Sequence, residues 1–292
     1  MVVSIEACWW VTLWVRVGLL QYTPGRSPRE SGVRVKELLS RARVGADVVL
    51  LPEYANVYPA GVPAEELRGR AESLEESVFA GALEWAAAEY GVYVFSGFLE
   101  RSDGCVYSSV VVARPSGRVE VVHRKVVLFD ALGYRESDVL CRGGGPPRLV
   151  EVAGLRVGAI VCFELRFPEM ARGLALQGAE LVLVPAAWYR GPGKEEQLRF
   201  LAQARASENT VYLAVASMTG PDFVGRSMLV DPLGFVAVDA GAREAYIEAV
   251  VDIDYLRGVR KALPLLELQP VARQAMELAL EKAKPTEDEH GG

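Results

Sequence analysis

The amino-acid sequence predicts an α/β protein whose fold is a four-layer α-β-β-α sandwich of two mixed sheets. Apolar, β-branched runs alternate with helical patterns over the first half of the chain. Three strand-like runs then follow one another without a helix between them, and the alternation begins again in the second half. Two similar sheets that pack face to face, with helices outside them, give every apolar sheet face a partner.

The first half opens with two strand-helix units and continues as a meander. The elements of the two units are predicted at 15–21, 28–43, 47–53 and 64–89. The three strands of the meander are predicted at 92–100, 106–115 and 119–125. Turn signals at Asp103-Gly104 and at 115–117 separate these strands, so we expect them to pair as antiparallel neighbours.

The second half repeats the alternation after a Gly/Pro-rich stretch at 142–147. Strands and helices are predicted in turn at 155–162, 167–177, 181–187, 195–208 and 210–217. Two more strands, near 226–231 and 245–252, complete the sheet region.

The pattern predicts one large domain over 15–255, because no linker divides it. The stretch 1–14 is interpreted as a leader of unknown role: it is apolar and rich in tryptophan, and it lacks the basic start and cleavage site of a signal peptide. It is also too short to span a bilayer. The segment 256–292 is expected to be a C-terminal extension, helical from about 263 to 284 and disordered over the charged tail at 286–292.

The composition favours a protein that acts on a small molecule. A net charge of -6 and a pI near 5.3 argue against nucleic acid as a partner, because phosphate binding needs a clustered basic face. No membrane partner is expected. The four cysteines form no C-x-x-C pair, which indicates neither a zinc site nor a dense disulfide framework and favours a reducing cytoplasm. Nucleotide-binding glycine motifs are missing from the sequence, so no cofactor is predicted.

The chain has only two histidines, His123 and His290. His290 lies in the charged tail, so only His123 is available for a Ser-His-Asp triad, and a His-rich metal site is excluded. We therefore predict that no metal is bound and that the base of an enzyme with this sequence is a residue other than histidine.

Three residues that carry acyl-transfer chemistry stand at strand ends. Cys162 lies at a corner between a strand and a helical pattern, where the helix dipole favours a thiolate. Glu53 ends an apolar strand, and Lys125, one of six lysines against 26 arginines, ends the meander. Each position alone also fits a structural role: an inert buried cysteine, a turn acid and an edge-strand lysine. Together they supply a nucleophile, a base and an oxyanion partner.

The sequence resembles the nitrilase, or carbon-nitrogen hydrolase, superfamily at LPE (51–53), HRKVVLFD (123–130) and CFELRFPE (162–169), within a match over roughly 15–255. The resemblance implies the α-β-β-α fold, a Glu-Lys-Cys triad at Glu53, Lys125 and Cys162, and a homodimer or higher homo-oligomer. It also implicates Glu136 as a second glutamate that orients the lysine.

Within the superfamily, CFELRFPE is similar to the branch of omega-amidases and deaminated-glutathione amidases. The resemblance implies that Arg166 binds a substrate carboxylate, although it could instead pair with Glu164 or Glu169. Phe163 and Trp188 are further candidates for the substrate pocket. The chain has Gln197-Leu198 where omega-amidases carry a His-Trp pair, so the pocket wall differs.

These observations predict hydrolysis of a small carboxylate-bearing amide to acid and ammonia through a cysteine thioester. An N-carbamoyl amino acid amidohydrolase is the nearest alternative, and a true nitrilase fits less well because the Cys-Trp-Glu pattern is missing. A catalytically silent binding subunit is the alternative from a different class of protein, although the intact triad argues against it.

Overall fold

The computed structural model describes residues 14–282 and confirms the predicted four-layer α-β-β-α sandwich. Except for Trp14, the proposed leader lies outside the described residues, and so does the predicted tail at 286–292. No helix of the described range is long and apolar enough to cross a membrane.

Most of the predicted strands and helices appear close to their expected bounds. The strands are β1 (Trp14–Gln21), β2 (Val48–Leu50), β3 (Tyr93–Ser102), β4 (Cys105–Ala113), β5 (Val119–Arg124), β6 (Asp130–Ala131), β7 (Tyr134–Arg135), β8 (Val150–Val152), β9 (Leu155–Ala159), β10 (Leu181–Ala186), β11 (Tyr212–Ser217), β12 (Met228–Val230), β13 (Val236–Asp239) and β14 (Ala245–Asp252). The helices are α1 (Pro28–Ala42), α2 (Ala64–Gly69), α3 (Val78–Tyr90), α4 (Pro168–Leu176), α5 (Lys194–Asn209), α6 (Ile253–Ala262) and α7 (Leu265–Lys282).

Each large sheet has six strands and mixes parallel with antiparallel pairs. The first sheet has the order β14-β1-β2-β3-β4-β5, and the second has the order β13-β12-β11-β10-β9-β8. In the first sheet β1, β2 and β3 are parallel, and the meander β3-β4-β5 is antiparallel as predicted. Strand β14 returns from the end of the second half and pairs antiparallel with β1, so the two halves of the chain share one sheet.

The apolar core lies in layers that match this architecture. Side chains such as Leu19, Leu50 and Phe95 of the first sheet pack against Leu183 and Val215 of the second and are fully buried. A separate cluster lies between the first sheet and helices α1 and α3, while α4 and α5 cover the outer face of the second sheet. Burial on both faces explains why the central strands appear in the sequence as nearly continuous apolar runs.

The helical region predicted at 64–89 is interrupted, because the structure has α2 and α3 with a non-helical segment between them. Glu72 in this segment forms a bridge with Glu100 of β3. Helix α3 then begins after Ser77, whose hydroxyl caps it by accepting a hydrogen bond from the amide of Ala80. The short strands β6, β7, β8 and β13 were not predicted either, because their patterns are too short or too mixed to stand out.

Two of the four cysteines form a disulfide that the spacing did not indicate. Cys105, at the start of β4, is bonded to Cys141, which lies 36 residues later. The amide of Cys141 also donates to the carbonyl oxygen of Val106. This bond ties the segment after the turn at Glu136–Asp138 to the meander.

Gly97 on β3 lies against the backbone that carries Glu53. A Cβ atom at Gly97 would lie 2.4 Å from the Cα atom of Glu53 and 2.5 Å from the carbonyl oxygen of Pro52. We expect Gly97→Ala to lower the free energy of unfolding by about 1–3 kcal/mol through overpacking, measured by urea unfolding. In the matched control Gly81→Ala, on α3, the new methyl group meets open space and should raise the unfolding free energy by about 0.5–1 kcal/mol. An unchanged value for Gly97→Ala would contradict the close approach.

Candidate active site

The carboxyl ends of strands from both sheets meet around one cavity. Glu53 follows β2, Lys125 follows β5 and Cys162 follows β9. Strands β2 and β5 run in the same direction, because β2 is parallel to β3 and β4 is antiparallel to both of its neighbours. The cavity is also lined by the other predicted site residues, Glu136, Phe163, Arg166 and Trp188. The structure therefore brings all seven candidates together.

Lys125 is buried between two glutamates. Its Nζ atom lies 2.9 Å from Oε1 of Glu53 and 2.9 Å from Oε1 of Glu136. The side chains of Lys125 and Glu53 are each 1% exposed, and that of Glu136 is 6% exposed. A charge removed from water so completely needs partners at hydrogen-bond distance, since an unpaired buried ion costs several kcal/mol.

Glu53 is held from both sheets. The hydroxyl of Ser108, on β4, donates to its Oε1 at 3.2 Å, and the backbone amide of Ala187, which follows β10, donates to its Oε2 at 3.1 Å. The carboxylate therefore keeps one orientation toward the thiol. Sequence reasoning missed Ser108, since a serine within an apolar strand gives no local sign of its partner.

Glu136 is also held by two further donors. The phenol of Tyr54 donates to its Oε1 at 3.0 Å, and the backbone amide of Phe129 donates to its Oε2 at 2.7 Å. Tyr54 follows the predicted base directly and has a left-handed backbone, with φ 50°. Its contact with a residue 82 positions away was not visible in the sequence.

The electrostatic environment of this cluster keeps Lys125 charged and makes Glu53 a stronger base than a free glutamate. Burial raises the pKa of Glu53 above its ordinary value, although the charge of Lys125 pulls it down. Burial alone would lower the pKa of Lys125, but the charges of Glu136 and Glu53 outweigh it and raise that pKa well above the ordinary value. Lys125 is therefore an ammonium at neutral pH, and Glu53 binds a proton more tightly than a free glutamate does.

Cys162 lies on a 3-10 turn, Cys162–Arg166, with a left-handed backbone at φ 43°. Helix α4 begins only at Pro168, so the expected position at an α-helix N-terminus is wrong. Proline keeps the residue before it out of helical geometry, which delays the start. Burial raises the pKa of the Cys162 thiol well above its ordinary value, and the charge of Glu53 adds to this. A base, rather than a helix dipole, must therefore remove the thiol proton.

Arg166 does not pair with Glu164 or Glu169, the alternative that the sequence left open. One of its Nη atoms donates to Oε1 of Gln197 at 2.9 Å, and its guanidinium lies 4.7 Å from the ring centre of Trp188. Within the described part of the chain, no ion pair joins Arg166 to a carboxylate. A guanidinium that lines the cavity without a counter-ion can bind an anionic ligand.

Lys194 is a third cation in the cavity lining, besides Lys125 and Arg166, and sequence reasoning missed it. It begins α5, and its backbone carbonyl accepts a hydrogen bond of 2.9 Å from the indole of Trp188. Burial and the nearby charge of Arg166 lower its pKa. Its only sequence signal was the rarity of lysine in this chain.

Aromatic rings form much of the remaining wall. Phe163 packs edge to face against Phe129 at 4.9 Å between ring centres, and Tyr134 approaches Tyr189 at 6.2 Å. All four of these rings line the cavity. Their rings give this part of the cavity an apolar wall.

His123 is not one of the lining residues. Its Nε2 atom lies 2.9 Å from Oε2 of Glu164, and both side chains are buried. Residues 14–282 contain no group of three or more His, Cys, Asp or Glu side chains arranged to hold a metal ion.

Comparison with known proteins gives a consistent assignment. Residues 16–261 match the family model described as carbon-nitrogen hydrolase. A hydrolase of Mycobacterium tuberculosis is 34% identical over 273 residues, which cover 87% of this chain and 95% of that protein. Omega-amidase NIT2 of Xenopus tropicalis is 32% identical over 269 residues, which cover 86% and 93% of the two chains.

A solved structure of an amidase is similar as well. It is a glutamate-to-glutamine mutant of the amidase from Nesterenkonia sp. AN1, with the acetamide moiety of fluoroacetamide added covalently at the active-site cysteine. The TM-score is 0.72 at 26% identity, and the match covers 86% of this chain and 95% of that chain.

The raised pKa of Cys162 predicts how the thiol reacts with iodoacetamide. Because the thiolate reacts, the alkylation rate should rise with pH through this pKa and still be rising at pH 9. Glu53→Gln removes a negative charge that opposes the thiolate, so the midpoint of the pH profile should move to lower pH. Alkylation is followed on the Cys162 peptide by mass spectrometry. A midpoint that stays in place or moves up would contradict the contact between Glu53 and the thiol.

Proposed function

We propose that this chain, which belongs to the carbon-nitrogen hydrolase family, hydrolyses a small carboxylate-bearing amide to the acid and ammonia. The family match and the amidases among its relatives identify the chain as a carbon-nitrogen hydrolase of the amidase type. The mechanism and the substrate class are our proposal.

One observation carries the mechanism: a buried lysine hydrogen-bonded to two carboxylates lines the same cavity as a buried free thiol. This arrangement supplies a base, a nucleophile and a positive charge within one site. The active-site cysteine of the Nesterenkonia amidase, which carries an added acetamide moiety, supports the same role for Cys162.

In the first half-reaction, Glu53 takes the Sγ proton of Cys162 and the sulfur attacks the carbonyl carbon of the amide. A carbon-sulfur bond forms, and the carbonyl electron pair moves onto oxygen. Lys125 and backbone amides stabilise this oxyanion. When the carbonyl forms again, the carbon-nitrogen bond breaks, the nitrogen takes the proton from Glu53, and ammonia leaves behind a thioester.

In the second half-reaction, Glu53 takes a proton from water and the water oxygen attacks the thioester. The carbon-sulfur bond breaks, the thiol of Cys162 regains its proton from Glu53, and the acid leaves. Glu53 is neutral during part of each half-reaction. Glu136 then remains as the counter-charge that keeps Lys125 charged and in place.

Two further cations in the lining of the cavity support a carboxylate on the substrate. Arg166 and Lys194 bring two positive charges to the lining, and neither forms an ion pair with a carboxylate of the described chain. The cavity is small, about 50 Å³, which favours a short substrate. The expected homodimer and the expected cytoplasmic location stay predictions.

The proposed function is tested by ammonia release from a panel of omega-amides, N-carbamoyl amino acids and simple nitriles. We expect the purified protein to release ammonia from a carboxylate-bearing amide. Cys162→Ala should abolish this release, because the nucleophile is lost. Carbon dioxide released together with ammonia would indicate a carbamoyl substrate instead, and release that survives in Cys162→Ala would overturn the mechanism.

The role of Arg166 is tested by comparing a carboxylate-bearing amide with a neutral amide of the same length. Arg166→Gln should lower kcat/KM for the charged amide by about 10-fold or more, the usual effect of losing a charged hydrogen bond. It should leave the neutral amide little changed. Arg199→Gln, at an exposed position on α5, is the matched control. Equal losses for both amides would rule out carboxylate binding by Arg166.

A further inference from the structure

We infer that His123 and Glu164 form a buried positioning pair that fixes the turn of the nucleophile Cys162 against the strand end that carries Lys125. The inference rests on the proposed function, which gives these two residues no part. Neither residue lines the cavity, so any effect on the reaction passes through the groups they hold.

Both oxygens of the Glu164 carboxylate are fully used. Oε1 accepts from the backbone amides of Val126 and Val127, at 2.7 and 3.3 Å. Oε2 accepts from the backbone amide of Val161 at 2.8 Å and lies 2.9 Å from Nε2 of His123. Three of the four neighbours are obligatory donors, so the group is a carboxylate and Nε2 carries the fourth donated proton.

The three backbone donors to this carboxylate lie next to the proposed catalytic residues. Val126 and Val127 directly follow Lys125, and Val161 directly precedes Cys162. One side chain thus ties the segment behind the lysine to the segment in front of the nucleophile. The two segments belong to different sheets, since Lys125 follows β5 and Cys162 follows β9.

The 3-10 turn Cys162–Arg166, which carries the proposed nucleophile, needs such a restraint. Cys162 has a left-handed backbone, which is unfavourable for a residue with a Cβ atom and persists only when the surroundings enforce it. Glu164 closes this turn twice: its amide donates to the carbonyl oxygen of Val161 at 2.8 Å, and its carboxylate accepts from the amide of the same residue.

His123 completes the pair from the lysine side. It lies two residues before Lys125, so in an extended strand the two side chains point to the same face. Burial by itself raises the pKa of Glu164, but the hydrogen bond and charge of His123, together with the backbone amides, hold it below its ordinary value. Without His123, a buried carboxylate would lose one of its four donors.

The inference predicts a defect in the alignment of the reacting groups rather than in substrate binding. In His123→Leu, one oxygen of Glu164 loses a donor and the turn can shift. We expect kcat to fall by about 10-fold to 100-fold, as misplacement near 1 Å can cause, while KM stays unchanged. The second-order rate of Cys162 alkylation by iodoacetamide should fall as well. His123→Gln, whose amide can donate from a similar place, should recover most of both losses.

The matched control is Leu39→Ala, a core substitution in α1 that lowers the unfolding temperature without touching either segment. It should leave kcat and the alkylation rate near those of the wild type. Wild-type rates in His123→Leu, no recovery in His123→Gln, or an equal loss in Leu39→Ala would each overturn the inference. Alkylation needs no substrate, so a protein that releases no ammonia would refute the proposed function and still test the positioning pair.

Discussion

The burial of one ammonium between two carboxylates is the constraint on which the rest of the site depends. Lys125 is 1% exposed, and its charge can be kept out of water only if Glu53 and Glu136 stay within hydrogen-bond distance. Each carboxylate is in turn fixed by further donors, including Ser108 and Tyr54. The cost of an unpaired buried charge therefore makes the geometry of the site stiff before any substrate arrives.

The sandwich provides this geometry because strands of both sheets end at the same edge. Glu53 receives hydrogen bonds from β4 in the first sheet and from Ala187 in the second, so its carboxylate bridges the two layers. Close approach on β3 is possible because Gly97 has no side chain to displace the Glu53 backbone. A second bridge, through Glu164, joins the segments beside Lys125 and Cys162. Chemistry that needs residues from both sheets thus depends on contacts between the sheets.

One cavity holds the groups of the proposed reaction together with cations that are available to bind an anion. Burial raises the pKa of the Cys162 thiol and that of Glu53, so the proposed reaction begins with proton transfer from the thiol to the neighbouring carboxylate. Arg166 and Lys194 line the same cavity and present positive charge without a carboxylate partner from the described chain. In the buried cluster two carboxylates surround one ammonium, whereas Arg166 and Lys194 bring positive charge that no carboxylate of the described chain neutralises.

The sequence by itself determined the layer order and placed Glu53, Lys125 and Cys162 at strand ends, because the repeat of apolar residues and the turns between elements are local properties. It also indicated a long helix that the structure divides, since a bridge to a distant strand outweighs local helical preference there. Only the tertiary structure decided which groups meet. Glu164 and His123 are 41 residues apart, and no local pattern encodes their contact. Burial, and with it the protonation of the thiol, likewise arises only when the two sheets pack.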